Sequence, residues 1–197
     1  MGSQKIVIVK GSPRESGNSA ILAGQVAAGA EAAGAEVESF YLHGMDIRPC
    51  DACDSCQGSA DMDCIIDDDM EILYPKLRET DAIVYASPIY WFTVSAQMKL
   101  FMDRCYGLGD ETSEPEEHVL AGKYVGIVLT YGGDDPFDSG AVNAIRTFQD
   151  TFNYIPAEIV GIVYGAALEA GEIRKEGEVM EKAYELGEKL ASATGDR

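Results

Sequence analysis

The sequence predicts an α/β chain built as a doubly wound, five-stranded parallel sheet in three layers. Three observations carry that expectation. Five short runs rich in β-branched residues recur along the chain, helix-length segments separate them, and loops bearing Gly, Ser, Pro or Tyr follow the first, third and fourth runs. Parallel neighbours need helical crossovers, and right-handed crossovers place helices on both faces of the sheet.

The first run, Lys-Ile-Val-Ile-Val-Lys at 5–10, ends at Gly11 and leads through the polar loop 12–19 into an alanine-rich stretch reaching Ala33. That is strand, loop, helix. A second strand is expected over 36–42, followed by an irregular cysteine-bearing insertion at about 47–67. Asp67, Asp68 and Asp69 then open a helix that continues through Ile72, Leu73 and Leu77, since carboxylates suit the amino-terminal dipole. A third strand is expected over 81–86, with Pro88 fixing a turn at its end. The next helix, about 95–105, spaces Met98, Phe101 and Met102 at intervals of helical period. An acidic surface loop over 107–117 precedes a fourth strand at 123–130 and a helix running through Phe152. A fifth strand at 158–164 precedes a last helix from Glu176 to about Ser192. There is no internal repeat, and the length of 197 residues fits one domain covering 1–197.

A chain of that length buries roughly 70% of its unfolded surface without staples, so its five cysteines point to chemistry rather than to disulfide bracing. Nothing at the amino terminus resembles a secretion signal, no apolar run reaches the ~20 residues of a membrane span, and a reducing cytoplasmic setting is expected. With 34 acidic and 15 basic residues the formal charge is -19, which repels phosphate backbones and anionic lipid surfaces. Neither nucleic acid nor membrane is an expected partner. The charge itself is explained by solubility or a salty cytosol, or by steering of a basic redox partner.

In doubly wound sheets ligands bind beyond the carboxyl ends of the strands, so the loops at Ser12, Ser87 and Tyr131 should converge. Ser12, Ser16 and Ser19 offer hydroxyls, Asn18 an amide, Arg14 a guanidinium, and the helix start offers free backbone N–H groups. Together these cradle a phosphate. The loop lacks both the Gly-x-Gly-x-x-Gly of dinucleotide sites and the Gly-Lys-Ser/Thr of nucleoside triphosphatases, so a single terminal phosphate fits best. An ordinary Ser/Asn helix cap would explain the same residues. Pro88, Ile89, Tyr90, Trp91 and Phe92 bring aromatic surface to the same rim, suited to a flat ligand or to packing beneath the next helix. Tyr131, Gly132 and Gly133 add backbone amides with little side-chain bulk.

Cys50, Cys53, Cys56 and Cys64 follow Cys-x2-Cys-x2-Cys-x7-Cys, a metal-ligand spacing whose opening matches the bacterial ferredoxin run while its Cys-Pro ending is absent. An iron–sulfur cluster, zinc, or free or oxidised thiols are the alternatives. Cys105 reads as a buried core thiol, and His43 and His118 as surface residues.

The chain resembles the NAD(P)H-dependent FMN reductases of flavodoxin-like fold, and within them the iron–sulfur flavoproteins. The resemblance rests on Gly11-Ser12-Pro13-Arg14 through Gly17-Asn18-Ser19, on Asp68-Asp69-Met70, on Ser87-Pro88-Ile89-Tyr90 with Ser95-Ala96-Gln97-Met98-Lys99 and Asp103-Arg104, and on the four cysteines. It implies that the loop 12–19 holds the FMN phosphate, that 88–92 lines the isoalloxazine ring, and that 131–133 closes over it. It also implies a 4Fe-4S cluster on the four cysteines, NAD(P)H or a ferredoxin as electron source, and a small-molecule acceptor. Assembly as a homodimer or homotetramer would involve the aromatic run and the 107–117 loop. A non-catalytic electron carrier and a zinc or thiol redox sensor are the rival expectations.

Overall fold

The computed structural model describes residues 3–57, 64–110 and 114–193. Strict alternation along each strand sorts the core into two faces. On β1 (Lys5–Lys10) and β3 (Ala82–Tyr90), Val7, Val9, Ile83 and Tyr85 face one side; Ile6, Ile8, Val84 and Ala86 face the other. The first side is covered by α2 (Met70–Glu79), α3 (Ala96–Arg104) and α4 (Ala141–Tyr154), through Leu73, Phe101 and Phe148 among others. The second is covered by α1 (Asn18–Ala32) and α5 (Gly177–Ser192), through Leu22, Val26, Leu186 and Leu190. Three layers result, as the sequence predicts.

With β2 (Glu36–Tyr41), β5 (Tyr124–Tyr131) and β6 (Glu158–Ala166), the parallel strands run in the order β2-β1-β3-β5-β6, the flavodoxin-like order. The chain reverses direction across the sheet between β1 and β3. A crevice therefore opens where those two strands end, at Gly11 and Ser87.

Three expectations need correction. Pro88 does not end the third strand: β3 continues through it, pairing Pro88 with Thr130, and folds back at β4 (Thr93–Val94), which pairs antiparallel with Ile89 and Tyr90. Proline is tolerated because Ala86 O, two residues earlier, accepts the last bond from Gly11 N. Pro88 turns its nitrogen the same way, toward a side where β1 has already ended at Lys10, so no ladder donor is missing. Asp68 is not a solvated dipole partner of α2 but is buried, and α2 begins two residues later. His118 is half-buried, with Nδ1 accepting from Leu120 N at 3.1 Å and Nε2 toward Cys105 O at 3.3 Å, so it closes the turn after α3. Burial holds its pKa below the ordinary value. Of the acidic 107–117 segment, Gly107 and Leu108 are buried, and 111–113 lie outside the described residues.

Candidate functional site: a crevice at the strand ends and a cysteine arm beside it

Gly17 caps α1 in extended conformation with no side-chain cap bond, and the helix closes its first hydrogen bond from Ile21 N to Gly17 O. The amides ahead of Ile21 therefore point out of the helix start without an intrahelical partner. Above them the loop is pinned in place. Ser12 is buried, its Oγ accepting from Arg14 N at 3.0 Å, and a Cβ on Gly17 would stand 2.6 Å from that oxygen. Tyr41, at the end of β2, donates its hydroxyl to Pro13 O at 2.8 Å. Arg14 and Ser16 are exposed, and no partner among the described residues ties the Arg14 guanidinium. Ser19 Oγ is buried in the first turn and has no partner among the described residues. A helix start with open amides, an exposed guanidinium and a buried hydroxyl has the chemistry that suits one phosphate.

Asn18 is used differently from the expectation of a phosphate ligand. Its Nδ2 donates to Ala167 O and Glu169 O at 3.2 and 2.9 Å, and its Oδ1 accepts from Gly171 N at 2.9 Å. Both side-chain N–H groups are spent on the loop after β6, which leaves the backbone N–H as its means of meeting an anion. The same loop reaches the third predicted element, since Ala167 N donates to Tyr131 O at 2.8 Å. Gly132 packs close to Leu168, and Gly133 takes a φ of 90°, where the absence of a side chain removes the penalty.

The second loop is joined to the first by two buried serines. Ser95 Oγ caps α3 by accepting from Met98 N and donates to Gly11 O at 2.6 Å, while its own N–H bonds Ser87 Oγ at 3.0 Å. Beyond this knot the hairpin tip carries Tyr90, Trp91 and Phe92 into solvent, Trp91 at 92% exposure. Trp91 and Phe92 have φ of 49° and 68°. Two left-handed residues make the tight turn that usually selects Asn-Gly, and aromatic side chains there are strained. The strain is held by Asn143 Nδ2, which donates to Phe92 O at 3.2 Å, and by Gly140, where a Cβ would stand 2.6 Å from that oxygen. Strain maintained at the rim of a crevice is a mark of function. Ser12, Ser16, Ser19, Arg14, Pro88 to Phe92 and Tyr131 to Gly133 thus lie on loops stitched into one rim. The sequence reading missed the stitching residues Tyr41 and Asn143, and named Ser87 as a loop position without its bond to Ser95. A polar residue placed where a strand ends or a helix begins was their only signal.

The four spaced cysteines stand on an arm fastened at its neck. Asp68 Oδ2 accepts from Arg48 N at 2.9 Å, Asp69 Oδ2 from Asp46 N at 2.7 Å, and Asp68 is ion-paired with buried Arg104. Burial would raise the Asp68 carboxyl, but hydrogen bonds from Arg104 and from the backbone N–H of Arg48 and Met70 outweigh it and hold the group below the usual carboxylate range. None of the four arm cysteines is in a disulfide; Cys50 and Cys53 are exposed, Cys56 and Cys64 half-buried. Residues 58–63 between the third and fourth lie outside the described residues, and among those described no three metal-ligating groups are gathered at one point. The donor chemistry, four soft thiolates at short spacing, suits zinc or an iron–sulfur centre. Cys105, in the turn Cys105–Leu108 after α3, belongs to the core as the sequence predicts, its thiol pushed up to about 12 by burial. A cavity of about 750 Å³ opens between the arm, α3 and α4, touching Cys50, Gln57, Cys105 and Phe152 but none of the crevice loops.

Open helix-start amides beside an aromatic-rimmed, sheet-end crevice suit a flat-headed mononucleotide. Residues 4–164 match the NADPH-dependent FMN reductase family. An iron-sulfur flavoprotein of Archaeoglobus fulgidus is 32% identical over 96% of this chain and 80% of its own length. One from Methanosarcina thermophila is 32% identical over 80% of this chain and 77% of its own. The solved NAD(P)H:quinone oxidoreductase of Methanothermobacter marburgensis superposes with a TM-score of 0.73 at 15% identity, covering 96% of each chain, which speaks to the fold. The chain belongs to the NADPH-dependent FMN reductase family and is an FMN-dependent oxidoreductase of the iron–sulfur flavoprotein type. Among the described residues no helix is long and apolar enough to cross a membrane.

The seat makes a direct prediction. Replacing Arg14 and Ser16 together by alanine should weaken FMN binding by ten- to a hundredfold, because two polar phosphate contacts are worth about 1–3 kcal/mol combined. Titration of the flavin-free protein with FMN measures it, and unchanged affinity would remove the loop from the site.

Proposed function

We propose that the protein draws electrons from NAD(P)H or a ferredoxin into FMN and passes them, through a 4Fe-4S cluster on Cys50, Cys53, Cys56 and Cys64, to a small acceptor. The observation that supports this most is the joining of three strand-end loops into one rim above the open amides of α1. FMN, when bound, takes a hydride as a pair of electrons and releases electrons singly, which is what a cluster can carry. The chain's own residues need only bind and orient. The amides of α1, Ser19 Oγ and Arg14 neutralise and fix the phosphate. Gly132 and Gly133 let backbone approach the ring plane, and the exposed aromatics at 90–92 leave stacking surface for a nicotinamide or for the ring itself. No acid or base is required of a side chain. The cavity beside Cys50 has room for a small planar acceptor. Assembly as a homodimer or homotetramer would cover Trp91, which is otherwise left bare to water.

Anaerobic mixing with NADPH and with NADH tests the reading. Bleaching of the flavin absorption within seconds is expected from at least one of them. Reduction by a ferredoxin alone would make the protein a carrier rather than a reductase. Iron and sulfide should assay at four each per chain after purification under nitrogen, and Cys56→Ala should lose them while keeping FMN. One zinc per chain without iron would replace the cluster by a structural or sensing metal.

A further inference from the structure

Tyr85 stands on β3 beneath α3 and α4 and is 2% exposed, its ring held among Phe101, Phe148 and Phe152 at centroid distances of 6.1, 5.3 and 5.5 Å. A phenylalanine would pack there equally well. What tyrosine adds is a hydroxyl, and none of the described residues hydrogen-bonds it. A buried phenol ordinarily finds a partner, because an unmet polar group inside a fold costs stability. Burial, together with the Cys105 thiol nearby, holds its pKa well above the ordinary value, so the group remains a neutral donor.

Tyr85 lines the cavity of about 750 Å³ that opens between the arm, α3 and α4, apart from the crevice loops. Met102, Leu120, Phe152 and Ile155 make its walls apolar. Four polar side chains that also line it commit their donors elsewhere. Thr147 and Thr151 each donate at 2.9 Å to a carbonyl one turn back on α4, Asn143 O and Thr147 O. His118 accepts at Nδ1 from Leu120 N, so Nε2 carries the proton and faces Cys105 O. Gln57 Nε2 donates to Cys56 Sγ and Gly109 O, each at 3.3 Å. At the rim Lys99 is ion-paired with Asp103, and Asp110 and Glu114 add further carboxylates, which disfavours an anion.

We infer that this cavity binds a neutral, flat, fused-ring aromatic molecule bearing a carbonyl, whose oxygen accepts a hydrogen bond from the Tyr85 hydroxyl. The inference narrows the planar acceptor proposed for the cavity to one chemical class, and it rests on that proposal only for what the molecule does once bound. The apolar walls take the ring, the phenol distinguishes a hydrogen-bond acceptor from a bare hydrocarbon, and the carboxylates at the rim turn anions away. Cys50, on the same cavity, places such a ligand beside the cysteine arm.

The test uses the full chain with FMN bound and its methionine methyl groups labelled with ¹³C, titrated with indanone and with indane, the same fused rings without the oxygen. The Met102 methyl signal should shift saturably with indanone, while that of Met180, on α5 across the sheet, should stay in place. Indane should bind about tenfold more weakly, the worth of one hydrogen bond. Tyr85→Phe should bring indanone down to the affinity of indane and leave indane unchanged, with no loss of thermal stability, because the hydroxyl has no partner to lose. A merely structural role would move stability and not the ratio of the two affinities. Equal affinities in the wild type, or a ratio unaltered by Tyr85→Phe, would overturn recognition by Tyr85, and no saturable Met102 shift with either probe would overturn the site. Failure of NADPH, NADH and ferredoxin to reduce the flavin would instead overturn the electron-transfer reading and leave the binding result standing.

Discussion

Asp68→Ala should lower stability by about 3–5 kcal/mol, because it leaves the Arg104 cation buried without its counter-charge. The side chains of the pair are 0% and 1% exposed, so water cannot substitute for the carboxylate. Two further bonds go with it, from Met70 N to Asp68 Oδ1 at 3.0 Å at the start of α2 and from Arg48 N to Oδ2, so the chain also loses its closure at the neck of the arm. Because the folded carboxyl titrates below its usual value, its contribution is complete above about pH 4 and disappears as the pH falls through the lower folded value. The gap between wild type and variant in urea denaturation should therefore be widest near neutrality and close under acid. A gap of less than 1 kcal/mol at pH 7 would mean that the pair is not sealed from solvent.

The second large effect comes from a methyl group. Helices α1 and α5 cross so closely that a Cβ on Gly187 would overlap the Val26 carbonyl oxygen and stand 2.7 Å from Ala30 N; one on Gly29 would overlap the Tyr184 carbonyl oxygen. All of these are backbone atoms, so no rotamer change relieves the clash and a helix must shift. Gly187→Ala should cost about 3 kcal/mol from overpacking, although alanine is the better helix former by about 1 kcal/mol. Gly24→Ala is the internal control. It lies on α1, the other helix of the crossing, with nothing within 4 Å of its added Cβ, and should gain up to about 1 kcal/mol. Opposite signs from one chemical change, read by thermal or urea unfolding, isolate the crossing. Since α1 also presents the phosphate seat, Gly187→Ala should bind FMN less well, whereas Gly24→Ala should bind it unchanged.

What was legible in the sequence and what was not divides along physical lines. Alternating apolar runs and the loops between them depend on local periodicity, so the five parallel strands, their helices and the three loops that form the crevice rim could be read from residue order. Pro88 within β3 could not, because its acceptability depends on β1 stopping at Lys10 on one side only. Asp68 reads as one of three carboxylates at a helix start until Arg104, thirty-six residues on, is brought against it. Asn18 sits in a phosphate-like motif, yet its side chain serves a loop some 150 residues away. The strained turn at Trp91 and Phe92 contradicts local preference altogether, and only tertiary contacts from Gly140 and Asn143 hold it. Long-range pairing and backbone strain are properties of the assembled sheet, and no window of sequence contains them.

Everything proposed for the crevice depends on the seat at 12–19 gripping a phosphate. The direct measurement is the affinity of the flavin-free protein for FMN beside its affinity for riboflavin, which has the same ring and no phosphate, by fluorescence quenching under one set of conditions. FMN should bind at least a hundredfold more tightly, about 2.7 kcal/mol. Equal affinities would show that the ring alone is recognised and that the amides of α1, Arg14 and Ser19 hold nothing.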